Sequence, residues 1–160
     1  MSTYHQILMP IDGSPTSDKA LDEAIRLAQL TGARLRLLHV VDELSYVNGF
    51  EPAMNYLNDI VPLMQGAGEK LLAHARKKAE DKGVETDSVL IVGGPGRLWE
   101  HVVEQAASVK ADLVVVGSHG RRGIGRALMG SDAEQIVRHA PGPVLVVRGS
   151  DAAAGKTLVN

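Results

Sequence analysis

Residues 117–131 read GSHGRRGIGRALMGS, placing five glycines and three arginines between the apolar run LVVV and a segment with helical spacing. Gly117, Gly120, Gly123, Gly125 and Gly130 permit positive φ and let backbone amides approach a ligand with no Cβ in the way. Gly130 and Ser131 then open a helix, whose first N–H groups lack partners within the helix and favour an anion. Arg121, Arg122 and Arg126 add charge of the kind that shares phosphate oxygens. The chemistry that these residues fit is the cradling of a phosphate or polyphosphate. The competing reading is a surface loop kept in solution by its arginines.

Strand, glycine-rich loop and helix follow one another in the order that a phosphate site requires, yet two familiar forms fail on detail. GRALMGS, from Gly125, has P-loop glycine spacing, but Ser131 stands where the lysine belongs. GKT at 155–157 has neither a glycine five positions earlier nor a strand before it. No Gly-x-Gly-x-x-Gly follows the first apolar run, which argues against a dinucleotide fold of that type. The six histidines (His5, His39, His74, His101, His119 and His139) are scattered, without His-Glu-x-x-His spacing, and there is no Gly-x-Ser-x-Gly elbow. Ser118 and His119 do not serve as nucleophile and base, because neighbours on an extended segment point apart. No catalytic residue is assigned.

The elements that must position this loop are legible in the hydrophobic pattern. QILMPI at 6–11 is a short apolar run stopped by DGSP, and from Asp18 onward Leu21, Ala24, Ile25 and Ala28 have helical spacing. TGA closes that helix, and RLRLLHVV at 34–41 reads as a second strand. The stretch 42–62 shows no clean period and predicts an irregular connection with room for one helical turn. A helix is expected over 63–82, ended by Gly83, then a strand at 88–92, the GGPG turn, and a helix with Trp99, Val102, Val103 and Ala106 inward. DLVVVG is the fourth strand. Ala133, Ile136, Val137 and Ala140 mark a further helix, on which Ser131 and Glu134 form a Ser-x-x-Glu capping box. VLVVR at 144–148 is the fifth strand, placed either at an unpaired edge or internally.

Alternating strands and helices, with each strand continuously apolar, predict an α/β fold: a doubly wound five-stranded parallel sheet with helices on both faces, Rossmann-like in architecture. Ligands of such sheets sit beyond the carboxyl ends of the strands, where the winding order reverses. Asp12 and Gly13, Val40 to Asp42, Gly93 to Gly96 and the 117–131 loop all lie at such ends. One domain is expected over 1–148, with a frayed tail at 149–160.

Of the 160 residues, 44% are hydrophobic and only 3% aromatic, so Val, Leu, Ile and Ala must form the core, the usual palette of a helix-covered parallel sheet. The absence of cysteine excludes disulfides, thiolate metal sites and Cys nucleophiles, and agrees with a reducing compartment. No run approaches a membrane span, and a cytoplasmic location is expected. A net charge of −2 offers no general attraction to nucleic acid, so neither nucleic acid nor membrane is an expected partner and any anion site must be made locally.

In several separated places the sequence resembles the universal stress protein family, in its ATP-binding branch. The family signature, Gly, two residues, Gly, nine residues, Gly, then Ser or Thr, is met by Gly117, Gly120, Gly130 and Ser131. ILMPIDGS, HVVD, GGPG and APGPVLVVR extend the likeness over residues 5–148. The resemblance implies an ATP-binding regulatory protein of the stress response, acting through a nucleotide-dependent dimer or partner surface, with the dimer formed along the last strand. It implies that Asp12 meets the ribose or metal side of the nucleotide, through Mg²⁺ in the latter case, and that the backbone near Val40 reads the adenine edge. Gly117, Gly120, Gly130 and Ser131 would hold ribose and phosphates, with Pro10 and His119 lining the pocket and Arg126 reaching the outer phosphates. An Asx turn in DGSP is an equal and compatible role for Asp12, whereas His39 reads as a structural histidine. Asp132 and Ala133 depart from the small apolar residue and second hydroxyl common in ATP-binding members. Two alternatives stand beside this reading: a slow ATPase or nucleotidyl-transferring enzyme on the same fold, and a partner-binding relative that has lost nucleotide.

Overall fold

The computed structural model describes residues 3–42, 53–119 and 129–149. Its elements alternate as β1 (Gln6–Pro10), α1 (Pro15–Thr31), β2 (Arg34–Val41), α2 (Ala53–Glu80), β3 (Thr86–Val92), α3 (Leu98–Ser108), β4 (Leu113–Gly117), α4 (Ser131–His139) and β5 (Val144–Val147). All pairings are parallel, and the strand order is β3-β2-β1-β4-β5. The expected doubly wound sheet is therefore present, and its winding reverses between β1 and β4.

The side-chain alternation of a strand divides the core into two layers. Ile7 and Met9 of β1, Leu35 and Leu37 of β2, and Leu113 and Val115 of β4 pack with Ala20, Leu21, Ala24 and Ile25 of α1 and Leu72, Ala75 and Ala79 of α2. Leu8, Leu38, Val114 and Val116 face the other way, against Val102 and Ala106 of α3 and Ala133 and Ile136 of α4. Burying each such Leu, Ile or Val contributes roughly 1.5–3 kcal/mol, and the two layers hold the central strands rigidly beneath the carboxyl-end loops.

Local signals explain most boundaries. Ser14 caps α1 by accepting the N–H of Ser17 at 3.2 Å, and Pro15 occupies the first turn, where its missing N–H is harmless. The helix thus starts three residues before the Asp18 expected from apolar spacing. Gly32 ends it in the left-handed region at φ 73°, its N–H donating to the Ala28 carbonyl.

The largest departure from expectation is α2, which begins at Ala53 rather than Leu63 and ends at Glu80. Residues 43–52 of the expected irregular connection lie outside the described residues, while residues 53–62 are helix. Pro62, inside the helix, reads as a break in the period. At Gly68 the close approach is physical, since an added Cβ would stand 2.8 Å from the His39 ring and 2.9 Å from Leu90. Among the described residues, no helix is long and apolar enough to cross a membrane.

Candidate nucleotide site at the winding reversal

The β1–β4 ladder pairs Ile7 with Leu113 and Leu8 with Val114 and ends there. By contrast, β1 remains paired with β2 to its last residue, Pro10 opposite Leu38, and β4 with β5 to Gly117 opposite Val147. The carboxyl halves of the two central strands therefore part, leaving a crevice with Pro10 on one side and Gly117 on the other.

Beyond Pro10 the chain turns sharply under a compact hydrogen-bond network. The Ile11 N–H donates to the Leu38 carbonyl at 2.8 Å, and the Ile11 carbonyl accepts from Nδ1 of His39 at 2.7 Å. Because a carbonyl only accepts, His39 carries its proton on Nδ1 and serves the structural role expected of it. Asp12 Oδ1 accepts the Ser14 N–H at 2.8 Å, completing the anticipated Asx turn, while the Asp12 N–H donates to Ser17 Oγ at 3.2 Å. Gly13 takes φ 77° within this turn. Ser14 and Ser17 were not singled out from sequence. The signal for them is the Ser-Pro start of α1 with a second serine three residues on.

Across the crevice, Gly117 is followed by Ser118, whose N–H donates to the Val147 carbonyl at 2.8 Å and whose carbonyl accepts the Gly130 N–H at 2.7 Å. These bonds bring both ends of the 117–131 loop together, with the N-terminus of α4 beside the end of β4. Gly130 is the N-cap of α4 and Ser131 its first residue, exposed. The Ser131–Glu134 capping box does not form: Gly130, with φ −57°, takes the cap position without a side-chain bond, and Glu134 instead pairs with Arg138 at 2.9 Å. Nor do Gly117 and Gly130 use positive φ, as expected of them. Neither lies in the left-handed region; both are required by space. A Cβ on Gly117 would stand 3.0 Å from the Thr16 methyl, and one on Gly130 would stand 3.2 Å from the Ser118 carbonyl oxygen. Thr16 is a further residue that the sequence did not single out. It also fills the space beside Gly149, where a Cβ would be 2.7 Å from its Oγ1.

Pro10, Asp12, Gly117, His119, Gly130 and Ser131 thus converge on the carboxyl ends of β1 and β4, and all but Ser131 are at least partly buried. Val40, half-buried on β2 opposite Ile91, lies two residues beyond Leu38 at the same end of the sheet. Gly120, Arg121, Arg122, Gly123, Gly125 and Arg126 lie outside the described residues. Behind the Asp12 turn, a hollow of about 190 Å³ is bounded by Ile11, Gly13 and Ser17 on one side and Leu71 and His74 on the other. The larger hollow, about 360 Å³, lies between α2 and the edge strand β3, away from the crevice. Among the described residues, no three His, Asp or Glu side chains are grouped to hold a metal ion. Val137, expected to face the core from α4, is instead 45% exposed, while Ala133 and Ile136 carry the packing.

Comparison with known proteins agrees with this architecture. The family model described as "Universal stress protein family" matches residues 3–148. Universal stress protein MJ0531 of Methanocaldococcus jannaschii is 36% identical over 145 residues, an alignment that spans 91% of this chain and 82% of that protein. The solved structure of MJ0577 from the same organism superposes with a TM-score of 0.80 at 28% identity, covering 93% of this chain and 99% of that one. A universal stress protein solved in complex with cAMP superposes with a TM-score of 0.64 at 27% identity, covering 93% of this chain and all of that one. With its crevice between β1 and β4, its glycine spacing and these likenesses, the chain belongs to the universal stress protein family.

Proposed function

We propose that this chain is an adenine-nucleotide-binding regulatory protein, with ATP as its principal ligand and the crevice between β1 and β4 as the site. The observation that carries the reading is the Ser118–Gly130 hydrogen bond, which brings the N-terminus of α4 to the mouth of a crevice at the winding reversal. Two glycines there stand where a Cβ would crowd its neighbours, as a backbone cradle requires. The relative bound to cAMP lends support from a family member with an adenine nucleotide in place.

In this reading, Gly117, Gly130 and Ser131 hold ribose and phosphates, together with Gly120 and Arg126 of the loop. Pro10 and His119 line the pocket, and the backbone near Val40 meets the adenine. Asp12 uses Oδ1 in its turn and offers the carboxylate to the ribose or to a phosphate-bound Mg²⁺. Any Mg²⁺ arrives with the nucleotide, since three protein ligands for it are not grouped among the described residues. The signal passes to a second copy of the chain or to a protein partner. Strand β5, which pairs on one side with β4 and ends the sheet, is the surface for a homodimer.

Extraction of the purified protein, followed by identification of the released nucleotide and calorimetric titration with ATP and AMP, tests this. Adenine nucleotide in the extract, or saturable binding by the stripped protein, is the expected result. An empty extract with no titratable binding would favour the partner-binding relative instead.

A further inference from the structure

The half-buried ring of His39, near the end of β2, has one edge on the Asp12 turn and the other on α2. Nδ1 donates to the Ile11 carbonyl at 2.7 Å, one residue before Asp12. On the opposite edge, a Cβ on Gly68 would stand 2.8 Å from Cδ2 and 3.4 Å from Nε2, so the backbone of α2 meets the imidazole with no side chain between them. Leu90 of β3 closes on the same point, 2.9 Å from that Cβ position, and leaves ring and helix little room to slide past each other. Elsewhere, among the described residues, the turn and α2 face one another across the hollow of about 190 Å³, with Ile11, Gly13 and Ser17 on one side and Leu71 and His74 on the other. The Lys78–Asp22 ion pair, at 2.6 Å, joins α2 to α1 on the solvent side, where such a pair contributes little. Firm contact between the turn and α2 therefore runs through His39.

We propose that His39 is a coupling residue: it transmits the state of the Asp12 turn to α2, so that nucleotide bound at the turn changes the local stability of α2 around Gly68. The proposal rests on the nucleotide reading above and adds to it the element that answers the ligand. Coupling between distant groups is carried by packed side chains and hydrogen bonds that cannot relax independently. A ligand that holds Asp12 also fixes the neighbouring Ile11 carbonyl, the hydrogen bond fixes the ring, and the ring bears on helix backbone rather than on a side chain that could turn aside. By reciprocity, α2 biases the turn to the same extent.

The test is hydrogen exchange of wild type, His39→Leu and His39→Asn, each with and without saturating ATP, after titration has established binding. Leucine and asparagine have nearly the same shape, and only asparagine can donate to the Ile11 carbonyl. In wild type, ATP should slow exchange at residues 66–72 about fivefold or more beyond its effect on α3, which packs on the opposite face of the sheet and reports global stabilisation. His39→Leu should bind ATP and slow at residues 11–18 but lose the excess at α2, whereas His39→Asn should retain it. A structural defect alone would speed exchange with and without ATP alike and leave that excess unchanged. No excess in wild type, a measurement that needs neither variant to fold, would overturn the proposal. So would an excess that persists in His39→Leu, or one lost equally in both variants, since the hydrogen bond would then not be the carrier. Wild type that binds no ATP would instead defeat the nucleotide reading itself.

Discussion

Gly130 donates its backbone N–H to the carbonyl oxygen of Ser118 at 2.7 Å, and a Cβ on Gly130 would stand 3.2 Å from that same oxygen. The bond that brings α4 to the sheet is thus made where a side chain has little room. Since φ at Gly130 is −57°, alanine can adopt the backbone, and the strain is purely one of contact. Gly130→Ala is expected to cost about 1 kcal/mol through the poorer cap and the displaced helix start, and to lower the melting temperature by about 2–4 °C. A wild-type melting curve would show that α4 yields freely and that the site does not depend on this spacing.

Gly68 presents the opposite case to ordinary helix propensity. In an exposed helix, alanine is favoured over glycine by about 1 kcal/mol. Here the added methyl meets the His39 ring, which its hydrogen bond to the Ile11 carbonyl keeps from turning away, and Leu90 of β3. Gly68→Ala should therefore destabilise by roughly 1–3 kcal/mol, the usual range for overpacking, whereas Gly66→Ala, with open space at its Cβ, should stabilise. Chemical denaturation of the two variants reads the sign directly, and a stabilised Gly68→Ala would show that α2 does not press on the sheet.

These two glycines also show what could be read in advance. A continuously apolar strand such as LVVV is legible because burial on both faces demands apolar residues at every position. The carboxyl-end location of the candidate site follows from the rule that ligands of an open parallel sheet sit beyond the strand ends. The start of α2 was not legible, because 53–62 shows no clean period and proline at 62 is a local signal for a break. The same is true of Gly117 and Gly130. Sequence shows a glycine but not whether φ or space requires it, and here the neighbours are Thr16, far away in the chain, and the Ser118 carbonyl. The Ser131–Glu134 pair had the spacing of a cap, but Arg138, one turn further on, captures the glutamate.

Asp112 ties the amino ends of the two central strands together. Its carboxylate accepts the N–H groups of His5 at 2.8 Å and Gln6 at 3.0 Å, and its own N–H donates to the Gln6 carbonyl at 3.0 Å. Because the β1–β4 ladder is short, this clamp carries much of the join between the two halves of the sheet. Asp112→Ala is expected to cost about 1–3 kcal/mol, the range for bonds to a charged acceptor, and Asp112→Asn a comparable amount, because its amide nitrogen would set a donor against one of the two N–H groups. A wild-type urea midpoint for Asp112→Ala would mean that the clamp does not hold the two strands together.

Strand β5 is half-buried throughout and, among the described residues, has a partner strand on one side only. An apolar edge of this kind invites pairing with a second chain, so light scattering at micromolar concentration should give twice the 17.0 kDa chain mass. A monomer under those conditions would remove the homodimer from the proposal and leave a different protein as the partner.

The sharpest electrostatic prediction concerns Asp132, which occupies the first turn of α4 together with Glu134. Asp132 is the acidic residue closest in sequence to Ser131, and Glu134, one turn on, pairs with Arg138. A carboxylate roughly 8 Å from a phosphate charge, at an effective dielectric near 20, is repelled by about 2 kcal/mol, and solvent and salt reduce this to about 1 kcal/mol, close to fivefold in affinity. The same carboxylate stabilises the helix start by roughly 0.3–1 kcal/mol through the macrodipole. Asp132→Asn should therefore move two readouts in opposite directions: a slightly lower melting temperature and about fivefold tighter ATP binding in metal-free buffer. With Mg²⁺ the gain should shrink, because the cation offsets the charge that the carboxylate opposes. Calorimetric titration of both proteins, with and without Mg²⁺, decides the matter. Weaker metal-free binding by the asparagine variant would mean that Asp132 supports the site through its helix, and that the phosphates do not lie at the N-terminus of α4.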